Sequence, residues 1–415
     1  MSKTSGALLF AQSGGPTAVI NSSAAGAFLT ALKKKKHITE VYGAVHGIKG
    51  VLNEDFIDVK KEDKKQLKLL KTTPSSLIGS VRYKLADPSV DDTDYKRLLE
   101  VFKKYNIRYF LYNGGNDSMD TCYKVSEYMK KNNYEVNVVG VPKTIDNDLK
   151  NTDHTPGFGS AAKYISTTVS ELALDLKVYD KGILSIIEVM GRDSGFLTAS
   201  AALAGESGYG ADLIYLPETP FSIEKFVSDV KKVLEEKNGK CIVVVSEGIK
   251  FEDGTLVGKF QPAVNDGFNH VQMGGVCNVL KDVMSKETDV KIRAIELNIM
   301  QRCAAHIASK VDVKEAFDSG KYAVLGAVNG HTGVMVSIRR RKIKDKYKVS
   351  YDYTSLTGVA NAIKTMPKSW ITQDGTWITD EAINYLKPLL NGESSPKFRQ
   401  GIPVYAKLKK IRVKK

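Results

Sequence analysis

The feature of this sequence that most restricts its fold is the repeated alternation of short apolar runs with longer amphipathic segments. Each run is rich in β-branched or aromatic residues, which is typical of a buried strand. The alternation predicts parallel sheets joined by crossover helices, and therefore a doubly wound α/β fold. The predicted strands cover residues 7–11, 107–111, 136–141, 184–189 and 240–245, and the helices predicted between them include residues 17–33, 94–105, 161–174 and 223–236.

Polar loops follow all of these predicted strands. Ligands of open α/β sheets bind beyond the carboxyl ends of the strands, so these loops are the first place to search for a site. Together they supply paired glycines, small hydroxyl groups, carboxylates and two cations, Lys143 and Arg192. Five such loops at one edge predict a ligand site. In chain order they read SGGPTAVINS, NGGNDS, PKTIDND, MGRDSG and SEG.

Two glycine pairs, Gly14–Gly15 and Gly114–Gly115, lie where a predicted strand gives way to a helix. Glycines there let backbone N–H groups approach a phosphate, and the positive end of the helix adds attraction. A tight strand-to-helix turn also needs glycine, so one pair alone would favour a purely structural role. Two pairs with carboxylates near one of them favour a phosphate site. The GxxxxGK[ST] motif does not occur, and the GFGSAA stretch at 157–162 lacks the preceding strand of a dinucleotide-binding motif.

The stretch PKTIDNDL at 142–149 is the most informative loop. Asp146 and Asp148 flank Asn147, with Lys143 and Thr144 just before them. In an extended backbone the two aspartates would project to the same side, where one could act as a general base and the other could bind Mg²⁺ directly or through water. An Asx-rich turn without catalytic function is the alternative, because Asp and Asn favour turns.

Cations suited to a phosphoryl group occur in several of the polar segments. Phosphoryl transfer needs in-line positioning, a metal ion and positive charge around the moving group. Arginine fits this need because its planar guanidinium can bond two phosphate oxygens at once. The candidate cations are Arg82, Lys143, Arg192, Arg293 and Arg302.

Composition and charge limit the class of protein. A chain of 415 residues with 42% hydrophobic content is long enough for two domains of ordinary size. The net charge of +14 is compatible with an acidic partner, but most lysines are scattered, and no helix-turn-helix, RNP-like or zinc-knuckle spacing occurs. Solvated helix and tail charge is therefore favoured, and we expect no nucleic-acid partner.

The cysteines and the first residues indicate the compartment. The apolar stretch near the start of the sequence is broken by Gln12 and Ser13, so it is too short for a signal peptide or a membrane span. The four cysteines are far apart and lack CxxC spacing. A reduced environment is the simplest interpretation. We therefore expect a cytoplasmic protein that does not enter a membrane.

Six stretches, in this order and spacing, resemble the phosphofructokinase family and specifically its pyrophosphate-dependent branch. The likeness continues into KTMPKSWI and GIPVY near the end of the sequence. The resemblance implies two similar Rossmann-like domains that face each other across a cleft. Residues 1–155 and about 305–370 would bind the donor, and residues 156–304 and about 371–415 would bind the sugar phosphate and form a C-terminal extension. The six stretches are SGGPTAVINS, GGNDS, PKTIDND, EVMGRDSG, SEG and RAIELNIMQR.

The resemblance also implies roles for individual residues. Asp146 would take the proton from the 1-hydroxyl of the sugar, and Thr144 would hold the transferring phosphate. Lys143, Arg82 and Arg192 would stabilise charge during transfer. The further expected roles are donor binding by Gly14, Gly15, Arg82, Asn116 and Asp117, Mg²⁺ binding by Asn116, Asp117 and Asp148, and substrate binding by Thr144, Asp146, Met190, Gly191, Arg192, Glu247, Arg293 and Arg302.

Two of these positions concern the choice of donor. The ATP-using members that this sequence resembles have glycine at the positions of Asp117 and Lys143. The Asp117 side chain would occupy space and add negative charge where the α-phosphate of ATP would lie, which disfavours the larger donor. The Lys143 ammonium would approach pyrophosphate closely. The resemblance therefore implies that pyrophosphate is the donor.

Three positions depart from the family pattern. Asn116 replaces an acid that contacts the metal, so Asp117 or Asp148 would carry more of the metal binding. Ile183 replaces an arginine that is donated to the sugar phosphate across a subunit boundary, and Ile299 replaces a histidine or tyrosine. These changes leave a longer ketose phosphate, such as sedoheptulose 7-phosphate, as an alternative substrate.

The expected function is a reversible, Mg²⁺-dependent transfer of a phosphoryl group between pyrophosphate and the 1-hydroxyl of fructose 6-phosphate, which gives fructose 1,6-bisphosphate and phosphate. Glycolysis and gluconeogenesis are both compatible settings. A non-catalytic regulatory subunit is the second alternative, although Asp146, Asp148, Arg82 and Arg192 argue against it. A homo-oligomer, either a dimer or a tetramer, is expected from the resemblance.

Overall fold

The computed structural model describes residues 5–258, 275–343 and 346–414. Within them the chain forms two α/β units, each built on its own sheet. In chain order the strands are β1 (Gly6–Gln12), β2 (Ile38–Ala44), β3 (Phe56–Asp58), β4 (Ile107–Gly114), β5 (Asn137–Pro142), β6 (Ile183–Val189), β7 (Leu213–Tyr215), β8 (Lys240–Ser246), β9 (Lys291–Glu296), β10 (Val334–Ile343), β11 (Lys346–Ser355), β12 (Lys397–Arg399) and β13 (Ile402–Val404).

The two main sheets differ in size. The first has seven strands in the order β11-β10-β5-β4-β1-β2-β3, and the second has four in the order β7-β8-β6-β9. All pairings in the second sheet are parallel. In the first sheet only the edge strands β3 and β11 run antiparallel to their neighbours. Parallel pairing requires crossover connections, which the helices provide.

The helices alternate with the strands, as the sequence predicts. The α-helices are α1 (Ile20–Ala31), α2 (Gly47–Leu52), α3 (Lys64–Leu69), α4 (Thr93–Lys104), α5 (Asn116–Lys131), α6 (Phe158–Lys177), α7 (Phe196–Ala199), α8 (Ile223–Glu236), α9 (Val276–Met284), α10 (Lys310–Val328) and α11 (Asp380–Leu386). No helix among the described residues is long and apolar enough to cross a membrane.

The predicted strands and helices are confirmed, with one informative difference at α1. This helix was predicted from residue 17 but begins at Ile20, because the Thr17 hydroxyl accepts the Val19 N–H at 3.2 Å and holds a turn first. The pair Gly14–Gly15 therefore lies in a loop before the helix. Gly115, by contrast, directly precedes α5. Only the second glycine pair therefore opens a helix in the predicted way.

Both faces of each main sheet are buried, which explains the continuous apolar runs in the sequence. In β1, Ala7, Leu9 and Ala11 face one hydrophobic core, whereas Leu8 and Phe10 face another. The second unit repeats this arrangement on β6, where alternate residues face two further cores. The cores hold the sheets rigidly, so the loops at the strand ends have fixed starting points.

After α10 the chain returns to the first sheet, where β10 pairs with β5. The end of the chain requires a correction to the predicted division. Helix α11 packs on a core of the second unit through Ala382 and Leu386. Residues 406–413 instead return to the first sheet, where the Val413 N–H donates to the Phe56 carbonyl at 2.9 Å. The outer edge of strand β3 would otherwise have backbone N–H and C=O groups without partners, and residues 406–413 form hydrogen bonds with them.

Helices α1 and α10 cross at two glycines. A Cβ atom on Gly26 would lie 1.9 Å from the Phe317 carbonyl oxygen, and one on Gly320 would lie 1.9 Å from the Ser23 carbonyl oxygen. The backbones approach so closely that neither position has room for a methyl group. This contact joins a helix from the start of the first unit to the helix by which the chain returns to it.

We expect Gly26→Ala to lower the free energy of unfolding by about 1–3 kcal/mol, because the two helices would have to separate. Gly205→Ala is a matched control, since a Cβ atom there meets no atom within 4 Å. The control should change stability by less than about 0.5 kcal/mol. Urea unfolding of both variants measures the difference, and equal midpoints would contradict the close crossing.

Candidate active site

A cavity of about 670 Å³ lies between the two units, at the carboxyl ends of their strands. Loops after β1, β4 and β5 line one side of it, and loops after β6, β8 and β9 line the other. The size is in the usual range for a small-molecule site. Thirteen of the predicted site residues line this cavity: Gly14, Gly15, Arg82, Asn116, Asp117, Lys143, Thr144, Asp146, Asp148, Met190, Arg192, Glu247 and Arg302.

The loop after β5, residues 143–148, forms the floor of the cavity and is called the catalytic loop below. Its backbone is not extended, because Asn147 has a left-handed conformation with φ of 58°. The Thr144 hydroxyl accepts the Asp146 N–H at 3.1 Å, and the Asn147 side-chain oxygen accepts the Thr155 N–H at 3.1 Å. The stretch is therefore a tight polar turn, as in the alternative interpretation. It still directs both Asp146 and Asp148 into the cavity.

The two carboxylates of the catalytic loop are half-buried in the wall of the cavity. Burial raises the pKa of Asp146, while the Thr144 hydroxyl and the Lys143 ammonium oppose the rise. Burial and the neighbouring charge of Asp146 raise the pKa of Asp148 to about 7. Two half-buried carboxylates so close together repel each other unless a cation or a proton lies between them. The pair is therefore suited to a proton transfer and to a metal ion.

The donor atoms for a divalent cation lie beside Asp148. The Asn116 amide donates to one Asp148 carboxylate oxygen at 2.9 Å. The other Asp148 oxygen and the Asn116 side-chain oxygen are buried without a hydrogen-bond partner among the described residues. Buried oxygens without a partner are costly. Oxygen ligands of this kind fit a hard cation such as Mg²⁺.

Positive charge is concentrated in the same cavity as these carboxylates. The Lys143 ammonium donates to the Gly15 carbonyl at 2.7 Å, and burial lowers its pKa to about 8 despite the nearby charge of Asp146. Burial lowers the pKa of Arg82 as well, and the charges of Arg302 and Arg192 add to this effect. Cations that depress one another's pKa lie close together, and a polyanion between them would relieve the repulsion.

The glycine pair after β1 makes room for these cations. Gly14 has φ of 75°, and a Cβ atom on it would lie 3.2 Å from the Lys143 ammonium. A Cβ atom on Gly15 would lie 2.8 Å from a terminal nitrogen of Arg302. Side chains at these positions would push the cations away from the cavity. The resemblance assigns Arg302 to the far end of the sugar, whereas the structure places its guanidinium beside Gly15.

The second unit contributes an acidic and polar wall. Glu247 accepts the Gly191 N–H at 3.1 Å, and burial raises the pKa of Glu247 to about 7. Gly191 does not itself line the cavity, but its N–H holds the side chain of Glu247, which does. The Met190 N–H donates to the Gln301 side chain at 3.2 Å. Sequence reasoning missed Gln301, although its position next to Arg302 was the available signal.

Arg293 is the one predicted site residue whose surroundings differ most from expectation. Its guanidinium bonds the Asp175 carboxylate at 2.5 Å and lies 5.3 Å from the ring centre of Tyr179. It does not line the cavity. Arg293 lies on β9, and its side chain turns towards Asp175 near the end of α6. Within one chain, Arg293 therefore does not reach the site that the resemblance assigns to it.

The segment after β11 also borders the cavity, which the sequence did not predict. Asn361 and Ile363 line it beside Asn116 and Asp117. The Asn361 amide donates to Asp120 of α5 at 2.9 Å. Asp193, Ser194 and Ile299 are further lining residues from the second unit. The stretch LTGVANAI at 356–363 gave no sign of a site, since it holds no charged residue, no cysteine or histidine and no glycine pair.

A cleft between two α/β units, in which paired carboxylates and clustered cations line the same cavity, defines a protein that binds phosphorylated ligands. The family model described as Phosphofructokinase matches residues 7–327. The chain belongs to the phosphofructokinase family.

Relatives and solved structures of nearly the same length agree with this family. The chain is 42% identical over 98% of its length to the pyrophosphate–fructose 6-phosphate 1-phosphotransferase of Halomonas elongata, of which 97% is covered. The enzyme of the same name from Methylococcus capsulatus is 41% identical, with 98% of this chain and 96% of the relative covered. The crystal structure of the pyrophosphate-dependent phosphofructokinase from Nitrosospira multiformis superimposes with a TM-score of 0.90 at 40% identity, covering 99% and 98% of the two chains.

We expect the affinity of the cavity for inorganic phosphate to fall as the pH rises through about 8, because Lys143 then loses its proton. Lys143→Arg is the matched control, since arginine remains charged throughout this range. Titration of the anion itself is common to both proteins, so their difference isolates the ammonium. Calorimetric titrations between pH 6.5 and 9.5 measure it. Identical pH profiles for the two proteins would contradict this role of Lys143.

Proposed function

We propose that the chain transfers a phosphoryl group reversibly between pyrophosphate and the 1-hydroxyl of fructose 6-phosphate, with Mg²⁺ as the metal. The observation that carries the proposal is the cavity in which Asp146 and Asp148 face the cations Lys143, Arg82 and Arg192. The names of the Halomonas and Methylococcus relatives support the same reaction. The products would be fructose 1,6-bisphosphate and inorganic phosphate.

Asp146 is the proposed base. Its half-buried carboxylate has a raised pKa, which favours proton uptake from the 1-hydroxyl. The hydroxyl oxygen then forms a bond to the nearer phosphorus of pyrophosphate, while the bridging P–O bond breaks and phosphate leaves. Thr144, whose hydroxyl donates to the Asp146 carboxylate at 3.2 Å, would keep this carboxylate aligned with the phosphoryl group that is transferred. In the reverse direction Asp146 returns the proton.

The cations would stabilise the negative charge that spreads over the transferring oxygens. Lys143 lies on the donor side next to Gly15, and Arg192 lies on the sugar side. Asn116, Asp117 and Asp148 would hold Mg²⁺, with the two unpartnered oxygens of Asn116 and Asp148 as the strongest support. When bound, Mg²⁺ would supply positive charge between the phosphates of the donor.

Donor choice would depend on Asp117 and Lys143. Asp117 lies in the first turn of α5 and lines the cavity, and the Lys143 ammonium, which also lines it, donates to the Gly15 carbonyl. An acid at the start of a helix occupies the place where a phosphate would otherwise bind. Its negative charge would repel an additional phosphate, so a diphosphate is accepted and a nucleotide is disfavoured.

The full set of carboxylates and cations favours an active enzyme over a regulatory subunit. The names of the relatives specify fructose 6-phosphate, which favours this sugar over a longer ketose phosphate. We further infer a homo-oligomer, a dimer or tetramer, in the cytoplasm. The exposed apolar side chains of Leu174, Val178 and Tyr179, the last of which lies against Arg293, support self-association, and the unpaired cysteines support a reduced compartment.

The donor proposal predicts that purified protein consumes fructose 6-phosphate with pyrophosphate and Mg²⁺, with kcat/KM for ATP lower by on the order of 100-fold or more. Replacing both Asp117 and Lys143 with glycine should raise kcat/KM for ATP relative to kcat/KM for pyrophosphate. The double change removes two charged side chains from the donor pocket and leaves room for the larger donor. A coupled assay with each donor measures this. Activity of the wild type with ATP but not with pyrophosphate would reject the donor assignment.

Asp146→Asn should lower kcat by roughly 100- to 10,000-fold with little change in KM, because the amide keeps the shape but cannot take the proton. Asp253→Asn serves as the control, since Asp253 is exposed and lies in a loop that does not line the cavity. Steady-state rates and fructose 6-phosphate binding by calorimetry check both variants. Turnover by Asp146→Asn at half the wild-type rate would remove Asp146 from the role of base.

A further inference from the structure

The catalytic loop is held from behind by a segment that the sequence did not connect with it. This strap, residues 356–366, begins in the first unit, where Leu356 and Val359 are part of a buried core. It ends in the second unit, where Met366 is buried and its N–H donates to Glu218 at 2.9 Å. The strap therefore spans both sides of the cleft and has fixed ends.

Between these ends the strap runs along the catalytic loop. Ile363 and Leu149 form an antiparallel bridge, and the Lys364 N–H donates to the Asp148 carbonyl at 2.7 Å. Asn361 and Ile363 face the cavity, whereas Lys364 does not line it. The Lys364 side chain instead passes to the rear of the loop, away from the space for substrates.

The Lys364 ammonium reaches three oxygen atoms there. It donates to the Asn147 side-chain oxygen at 3.3 Å, to the Asp153 carbonyl at 2.9 Å and to the Thr152 carbonyl at 3.4 Å. These contacts join the loop that carries the carboxylates to the chain that leads into α6. An ammonium has three donors, so this arrangement uses all of them.

Asn147 is the residue on which the geometry of the loop depends. It is fully buried and has a left-handed backbone, which is costly for a residue with a side chain. Its amide group is fixed at both ends, because Lys364 and the Thr155 N–H bind the oxygen while the nitrogen donates to the Tyr385 hydroxyl at 2.9 Å. A change in this conformation would turn Asp146 and Asp148 away from each other.

We propose that Lys364 is a positioning residue for phosphoryl transfer, which holds Asn147 in its left-handed conformation and thereby aims Asp146 and Asp148 into the cavity. The inference rests on the proposed function, since it concerns the same two carboxylates. Lys364 does not touch the substrates. Its loss should therefore affect the rate of transfer rather than the binding of either substrate.

The test compares Lys364→Met with Lys364→Arg and with the control Lys368→Met, an exposed lysine of the neighbouring segment. Lys364→Met should lower kcat by on the order of 10- to 100-fold, as expected for a misplaced reacting group, and KM for both substrates should change less than about twofold. Lys364→Arg, which keeps the charge and several donors, should recover most of the rate. Lys368→Met should match the wild type.

A second variant separates positioning from folding. Glycine adopts the left-handed conformation without support from Lys364. The Lys364→Met change should therefore lower kcat by a smaller factor in an Asn147→Gly background than in the wild type. A melting curve for each protein reports the folded fraction, to which rates are normalised. Independent, multiplicative effects of the two changes, or a normalised kcat of Lys364→Met within twofold of the wild type, would overturn the inference. An inactive wild type would instead reject the proposed function.

Discussion

Two half-buried carboxylates on either side of one buried, left-handed residue are the constraint on which this structure depends. Asp146 and Asp148 lose part of their hydration, and burial raises the pKa of each. Such a pair is stable only where cations and hydrogen bonds compensate. Lys143 supplies a cation inside the cleft, and Lys364 of the strap supplies another behind the catalytic loop. The same arrangement that stabilises the acids also suits them to a phosphorylated ligand.

Neither unit could build this site alone. The first sheet provides the glycine pairs, the catalytic loop and the start of α5, whereas the second provides Arg192 and Glu247. Strands buried on both faces fix the starting point of each loop, and the α1–α10 contact at Gly26 secures the return of the chain to the first unit. Rigid sheets with polar loops at their carboxyl ends are the general solution of α/β enzymes to placing several groups within a few ångströms.

Much of this arrangement could be predicted from sequence, because strands that are buried on both faces leave continuous apolar runs. The loops that follow these strands could then be assigned to one edge of the sheet, at the carboxyl ends of the strands. Strand β11 could not be predicted, since KYKVSYDYTS lacks the continuous apolar run of the buried strands and the strand lies at the edge of the first sheet. The bend at Asn147 was also hidden, because spacing alone does not reveal a backbone angle.

Long side chains were the least predictable part. Arg302 and Arg293 were placed by family pattern, yet the structure turns the first towards Gly15 and the second towards Asp175. A flexible side chain follows the charges of its neighbours, which depend on the assembled fold. Lys364 illustrates the opposite case, since the sequence pattern assigns no role to the first residue of KTMPKSWI, yet its ammonium reaches the rear of the catalytic loop once both units come together.

The most direct measurement is a crystal structure of the protein with Mg²⁺, fructose 6-phosphate and a non-hydrolysable diphosphate. The account predicts that the diphosphate lies between Lys143 and the start of α5, that Asn116 and Asp148 contact the metal, and that Asp146 is within hydrogen-bond distance of the 1-hydroxyl. A structure in which Asp117 and Lys143 turn away from the diphosphate, leaving open space for an adenine, would contradict it.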